Sequence, residues 1–128
     1  MKKILSILAI MIAVVVQANA QATFVLSDGR IEVNGERHET NNIYRYFQVA
    51  NDYAQFLDPQ MNVKEKYTLI GEPEIENYVS TWLINGGLIR IDFNKWNICV
   101  FDGINKKIKV WVWIDKDKTV QYDKEHLN

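Results

Sequence analysis

Residues 88–122 read LIRIDFNKWNICVFDGINKKIKVWVWIDKDKTVQY, and the organisation of the whole chain follows from this stretch. Ile89, Ile91 and Phe93 alternate with Arg90 and Asp92, which is the pattern of a half-buried strand. Three further runs have strand character and are separated by turns rich in Asn, Asp and Gly. The predicted strands cover residues 88–93, 96–101, 107–114 and 119–122. The stretch therefore predicts an antiparallel meander.

The register of this meander is predicted from turn length. A two-residue turn at 94–95 places Ile91 opposite Ile98, and the next turn is expected to place Phe101 opposite Ile108. One face then carries the residues Ile89, Ile91, Phe93, Trp96, Ile98, Val100, Trp111, Trp113, Val120 and Tyr122. The second face carries Leu88, Arg90, Asp92, Asn97, Cys99, Phe101, Ile108, Val110, Val112 and Ile114. This register favours core packing of the two paired tryptophans over an exposed platform for sugar or nucleic acid.

The first twenty residues have the three parts of a secretory signal peptide. Lys2 and Lys3 supply the positive charge, residues 4–16 are apolar, and residues 18–20 are a small-x-small cleavage site. The apolar run is too short to span a bilayer. We predict a signal peptide over residues 1–20, a single domain over 21–128, and export to the periplasm or out of the cell.

The charge of the mature chain argues against nucleic acid as a partner. Without Lys2 and Lys3 the chain has 13 basic and 16 acidic residues, a net charge of −3. The chain is also expected to have no membrane span after cleavage.

The segment before the meander is expected to supply a hairpin and a helix. Residues 23–33 alternate around Asp28-Gly29, which predicts a hairpin with a type I′ turn. A helix is predicted over residues 43–57, where apolar side chains recur at spacings of four and three. Residues 61–70 indicate a strand. Residues 73–84 combine helical spacing with strand-forming residues, and the spacing slightly favours a helix.

Few residues suit catalysis or metal binding. Cys99 is the single cysteine, so no internal disulfide can form, and its place within a strand indicates an inert thiol. His38 and His126 have no partner at a metal-ligand spacing. The segment Asp115-Lys116-Asp117 lacks the glycine and glutamate of a calcium loop. We predict no metal, no cofactor and no catalytic residue, although a hydrolase built on carboxylates stays open because it needs no motif.

The predicted fold class is α+β, an antiparallel sheet with one long helix packed on its apolar face. The predicted function is a small exported non-enzymatic protein-binding module, of the kind represented by periplasmic inhibitors and immunity proteins. Its contact residues are expected on the second sheet face, at Arg90, Asp92 and Asn97. The alternative is a small-ligand or glycan-binding domain that uses tryptophans. The candidates for that site are Trp82, Trp96, Trp111 and Trp113. The sequence leaves the partner and the oligomeric state open.

Overall fold

The computed structural model describes residues 21–39, 43–102 and 108–126, with the backbone alone described for Ile108. These residues form a mainly antiparallel β fold with one C-terminal helix, which confirms the coarse fold class. The strands are β1 (Ala22–Val33), β2 (Glu36–Glu39), β3 (Tyr46–Val49), β4 (Tyr53–Leu57), β5 (Val63–Thr68), β6 (Ile70–Glu76), β7 (Val79–Ile84), β8 (Gly87–Asp92), β9 (Asn97–Asp102) and β10 (Ile108–Ile114), and the helix is α1 (Lys116–His126). The predicted signal peptide and residues 103–105 of a predicted turn lie outside the described residues.

The strands follow one continuous order, β5-β4-β3-β1-β10-β9-β8-β7-β6, with β2 paired to the end of β1. Strand β1 joins the two halves of the sheet. Its residues 22–25 pair with β3, and its later residues pair with β10. Because the order begins and ends with β5 and β6, which are consecutive in the chain, the sheet turns around a common interior.

Side chains from both halves of the sheet meet in one hydrophobic core. Phe24, Phe47 and Phe56 enter it from the first half, and Ile89 and Ile98 enter it from the second. Each of these side chains is almost fully buried, which stabilises the fold by about 1.5–3 kcal/mol per residue before entropy is counted.

The predicted hairpin around Asp28-Gly29 is wrong, because residues 22–33 form one strand with a bulge between Leu26 and Gly29. The turn forms instead at Asn34-Gly35, where φ is 51° and 89°. Positive φ at both positions suits a type I′ turn. Glycine at position 29 is explained by lack of space and not by a turn, because a Cβ atom there would lie 2.5 Å from the carbonyl oxygen of Trp111.

The predicted helix over residues 43–57 is also wrong, because this segment forms the β3–β4 hairpin. Phe47 and Phe56 pair across the hairpin and enter the core. On the other face Gln48 and Gln55 are buried too, and Gln55 Nε2 donates a hydrogen bond to Gln48 Oε1 at 2.8 Å. The alternating runs Phe47-Gln48-Val49 and Ala54-Gln55-Phe56 are only three residues long, and the apolar residues in and around them also fit a helical spacing.

Residues 73–84, where the spacing slightly favoured a helix, belong to strands β6 and β7. These strands are joined by a turn at Asn77-Tyr78, where φ is 51° and 63°. A tyrosine at positive φ is uncommon and is a poor sequence signal for a turn. Strand β5 confirms the strand predicted within residues 61–70.

The fourth strand of the predicted meander, over 119–122, is wrong because the chain forms helix α1 there. Asp115 caps the helix by accepting a hydrogen bond on Oδ1 from the backbone N–H of Lys118 at 3.1 Å. Thr119 is fully buried, and its Oγ1 accepts a hydrogen bond from the backbone N–H of Val25 at 2.9 Å. The ring of Tyr122 lies 6.0 Å from that of Tyr46, so the helix contacts both β1 and β3.

The predicted register is right between β8 and β9 and wrong between β9 and β10. Ile91 lies opposite Ile98 as expected. Across the next pair, however, Ile108 lies opposite Asp102 rather than Phe101, a shift of one residue. Because side chains alternate along a strand, this shift moves every β10 side chain to the other face. Val110, Val112 and Ile114 are therefore in the core, and Trp111 and Trp113 are outside it.

Candidate functional site

The strands β1, β2 and β6–β10 share one broad surface that is turned away from the core, and we call it the outer face. Cross-strand pairing orders its side chains in three rows. Row A consists of Trp113, Asn97, Asp92, Val79 and Glu76. Row B consists of Glu39, Arg30, Trp111, Cys99, Arg90, Thr81 and Glu74. Row C consists of Arg37, Glu32, Lys109, Phe101, Leu88, Leu83 and Ile70.

Large apolar side chains on this face remain accessible to solvent. The exposed fraction is 41% for Trp111 and 48% for Trp113. In row C it is 43% for Phe101, 57% for Leu83 and 53% for Ile70. Exposed aromatic and aliphatic residues scattered singly are ordinary, but neighbours on one sheet face indicate a contact surface.

The four candidate tryptophans divide between the two faces. Trp82 is 5% exposed and lies in the core, so its predicted role in a ligand site is not supported by its position. Trp96 is half-buried and packs against the core, with its ring perpendicular to that of Phe93 at 5.7 Å. The expectation that Trp111 and Trp113 pack in the core is wrong because of the one-residue register shift.

Arg90, Asp92 and Asn97, the predicted contact residues, all lie on the outer face. Arg90 is exposed in the middle of row B, and Asp92 and Asn97 are adjacent in row A. Asp92 also holds the following turn, because its Oδ1 accepts hydrogen bonds from the backbone N–H groups of Asn94 at 2.8 Å and Lys95 at 3.2 Å. A contact role for Asp92 therefore coexists with a structural one.

A groove of about 450 Å³ lies at the β1 side of the outer face. Its walls include Trp111, Trp113 and Asn97 together with Arg30 and Arg37. Its size falls within the range of small-molecule sites, about 300–1,000 Å³. The groove thus combines flat aromatic surface with groups that donate and accept hydrogen bonds.

A second recess of about 410 Å³ lies at the β6 side of the same face. Glu74, Glu76 and Asp92 line it with Arg90, which gives it an acidic character. The two recesses flank the centre of the outer face. The sequence-based reasoning missed Glu74 and Leu83, and it placed Phe101 on this face without a contact role. A correct register for β10 and a strand at 73–84 would have placed them beside the tryptophans.

Cys99 is half-buried in row B, between Trp111 and Arg90. Burial raises the pKa of its thiol, and the nearby carboxylate of Asp92 raises it as well, while Arg90 acts in the opposite direction. A raised pKa lowers the thiolate fraction at neutral pH and therefore opposes nucleophilic reactivity.

The histidines and carboxylates of the described segments do not converge on a metal site. Within these segments no group of three His, Cys, Asp or Glu side chains could hold a metal ion. His38 is exposed, with its Nε2 3.8 Å from a carboxylate oxygen of Glu36. His126 stacks on the ring of Tyr122 near the end of α1, with the ring centroids 3.8 Å apart.

No protein-family model matches the chain, and neither the curated proteins nor the solved structures that were compared with it give a match. In the part of the chain that the structure describes, no helix has the length and apolar character needed to cross a membrane. The case for a function therefore depends on the outer face itself.

Proposed function

We propose that the protein is a small exported protein-binding module, of the periplasmic inhibitor or immunity type, whose partner docks on the outer face. One observation carries the proposal: Trp111, Trp113, Phe101 and Leu83 are exposed together on one face of a sheet whose other face forms the core. The export step rests on the predicted signal peptide.

The chemistry of the outer face supports a protein interface. Tryptophan and arginine are the residues that most often dominate binding energy, and here Trp111 lies in the same row as Arg30 and Arg90. Row C adds apolar area in Phe101 and Leu83. Charged residues stand at both ends of row B and at one end of rows A and C, while Arg90 and Asp92 lie nearer the centre. This mixture of exposed aromatic, apolar and charged side chains supports a protein contact surface.

A second candidate is a glycan or small-ligand site in the groove beside Trp111 and Trp113. The observation in its favour is that two exposed indole rings share a groove of about 450 Å³ with Asn97, Arg30 and Arg37. Aromatic faces pack against the apolar faces of sugar rings, while amide and guanidinium groups can bond hydroxyls. A ligand in the groove would contact Trp111 and Trp113, but it would not contact Phe101 or Leu83 of row C, which do not line the groove.

The test is capture of a partner by the protein recovered after export, compared with four single variants. Trp111→Ser and Leu83→Ser each remove an exposed apolar side chain from the outer face. Val63→Ser is the matched control, because Val63 is 51% exposed on β5 at the opposite end of the strand order. Arg90→Glu tests the predicted contact residues. It is chosen over a change at Asp92 because the Asp92 carboxylate also accepts a hydrogen bond from the backbone of the following turn.

A protein partner that uses the outer face should bind Trp111→Ser and Leu83→Ser at least about tenfold more weakly, and should bind Val63→Ser normally. A glycan in the groove should instead be lost with Trp111→Ser and retained with Leu83→Ser, because Leu83 does not line the groove. Equal binding by the parent and all variants would refute the assignment of the outer face.

A further inference from the structure

We infer that the core side of the sheet, where β5 approaches β9, binds a small primary amine whose ammonium group lies between Tyr67 and Asp102. This site is separate from the outer face, because both side chains belong to the core side of their strands. Its basis is a pair of buried polar atoms without partners and a set of acidic groups around them. We call Tyr44, Glu65, Tyr67 and Asp102 together the core site.

Two residues of the core site lie on β5. Tyr67 lies opposite Ala54, and Glu65 lies opposite Phe56. Both of these partners are fully buried in the core, so Tyr67 and Glu65 are on the core side of β5. Tyr67 is 9% exposed, whereas Glu65 is half-buried. Glu65 therefore connects the core site to solvent.

The other two residues reach the core site from different strands. Asp102 lies on β9 two residues beyond Val100, which is 1% exposed, so alternation places Asp102 on the core side as well. Tyr44 precedes β3, and its ring stacks on that of Phe56 with the centroids 4.4 Å apart. The ring of Tyr67 is nearly perpendicular to that of Phe56 at 6.3 Å. Aromatic surface therefore borders the acidic groups.

The hydroxyl oxygen of Tyr67 and Oδ1 of Asp102 are both buried and have no hydrogen-bond partner. Burial raises the pKa of the Tyr67 hydroxyl. The charges of Tyr44, Glu65 and Asp102 raise this pKa further, so these groups lie near the hydroxyl. Tyr67 and Asp102 are thus neighbours that do not bond each other, and the separation of their polar atoms exceeds a hydrogen bond. A donor placed between them would remove the cost of leaving both unpaired.

The carboxylates of the core site lack a cationic partner among the described residues. Neither Glu65 nor Asp102 forms an ion pair within 4.0 Å in this part of the chain. Carboxylates removed from water are stabilised by a cation that also donates hydrogen bonds. A primary ammonium group has three N–H donors, and aromatic rings attract its charge and pack against its alkyl chain. An anion would be repelled, and a quaternary ammonium has no N–H to donate.

The experiment is a nuclear magnetic resonance titration of the protein recovered after export with n-propylammonium chloride at constant ionic strength. 1-Propanol, a neutral probe of the same length, is titrated in parallel. The amine should bind with a Kd of about 1 mM, and 1-propanol should bind at least about tenfold more weakly. The backbone amide signals of Tyr67 and Asp102 should shift with the amine. The indole signals of Trp111 and Trp113, on the outer face, should stay in place.

Two variants change the core site without changing its shape. Asp102→Asn removes the charge and should weaken amine binding at least about tenfold. Tyr67→Phe removes only the hydroxyl and should weaken it by about threefold to tenfold. The matched controls are Asp117→Asn, in the exposed first turn of α1, and Tyr78→Phe, in the exposed β6–β7 turn, and both should bind like the parent. Circular dichroism verifies that each variant is folded.

Three results would overturn the inference. The first is the absence of a saturable shift with n-propylammonium up to about 50 mM, which a water molecule held between Tyr67 and Asp102 would explain. The second is equal affinity for the amine and 1-propanol. The third is amine binding that a folded Asp102→Asn variant leaves unchanged. If Asp102→Asn does not fold, the comparison of Tyr67→Phe with Tyr78→Phe decides, and equal affinity of these two variants would overturn the inference.

Discussion

The position of β10 can be tested by comparing Val112→Ala with Trp111→Ser, two neighbouring residues on opposite faces. Val112 is 1% exposed and lies opposite Ile98 and Gly29 in the core. Its change to alanine removes about two methylene equivalents, about 1.5 kcal/mol of transfer free energy. The cavity left in a packed core adds to this, so the free energy of unfolding should fall by about 2–3 kcal/mol.

Trp111→Ser should cost about 1–2 kcal/mol, less than Val112→Ala, because the side chain is 41% exposed and leaves no core cavity. The assay is urea unfolding monitored by circular dichroism at a concentration where the protein is monomeric. The slope of the free energy of unfolding against urea concentration should be the same for the parent and both variants. If β10 were shifted by one residue, the order would reverse: Trp111→Ser would cost about 3–5 kcal/mol and Val112→Ala little. That reversed order would refute the observed register.

Three further outcomes follow from particular contacts. Tyr78→Gly should raise the free energy of unfolding by about 1 kcal/mol in the same urea assay, because Tyr78 has φ 63° and glycine adopts this conformation without strain. Thr119→Val should lower it by about 1–3 kcal/mol, since the buried N–H of Val25 loses its acceptor, whereas Thr68→Val on the exposed edge strand should change it little. Backbone and side-chain hydrogen bonds, from Asn62 above all, hold the pKa of Asp58 below its ordinary value. The contribution of Asp58 to the free energy of unfolding should therefore be fully present at pH values above the ordinary pKa of an aspartate, and it should be lost as the pH falls through and below that pKa. Asp58→Asn should flatten this part of the curve of stability against pH.

The strands of residues 87–102 were predictable because one face is buried and the other is not. Ile89 and Ile91 alternate with Arg90 and Asp92, and a short connection fixed their pairing with β9. The same reasoning failed for β3 and β4, where the alternating runs around Gln48 and Gln55 are short and the neighbouring apolar residues also fit a helical spacing. It also failed for α1, although Asp115 followed by lysines was a usable capping signal.

The candidate site was partly predictable, and the one wrong assignment within it has a single cause. Arg90, Asp92 and Asn97 were correctly assigned to one face because the β8–β9 register was right. Trp111 and Trp113 were assigned to the wrong face because nothing in the sequence between β9 and β10 fixes the pairing to within one position. In β10 both alternating sets are apolar, Val110 and Val112 against Trp111 and Trp113, so hydrophobicity alone could not choose between them.

The most direct test of the outer face as the binding surface is nuclear magnetic resonance of the four indole N–H groups. The spectra would be recorded while the protein concentration is raised and then while a captured partner is added. The indole signals of Trp111 and Trp113 should shift or broaden with binding, because both rings are exposed on the outer face, and that of buried Trp82 should stay in place. Unchanged signals from Trp111 and Trp113 under conditions where binding is complete would contradict the assignment of this face.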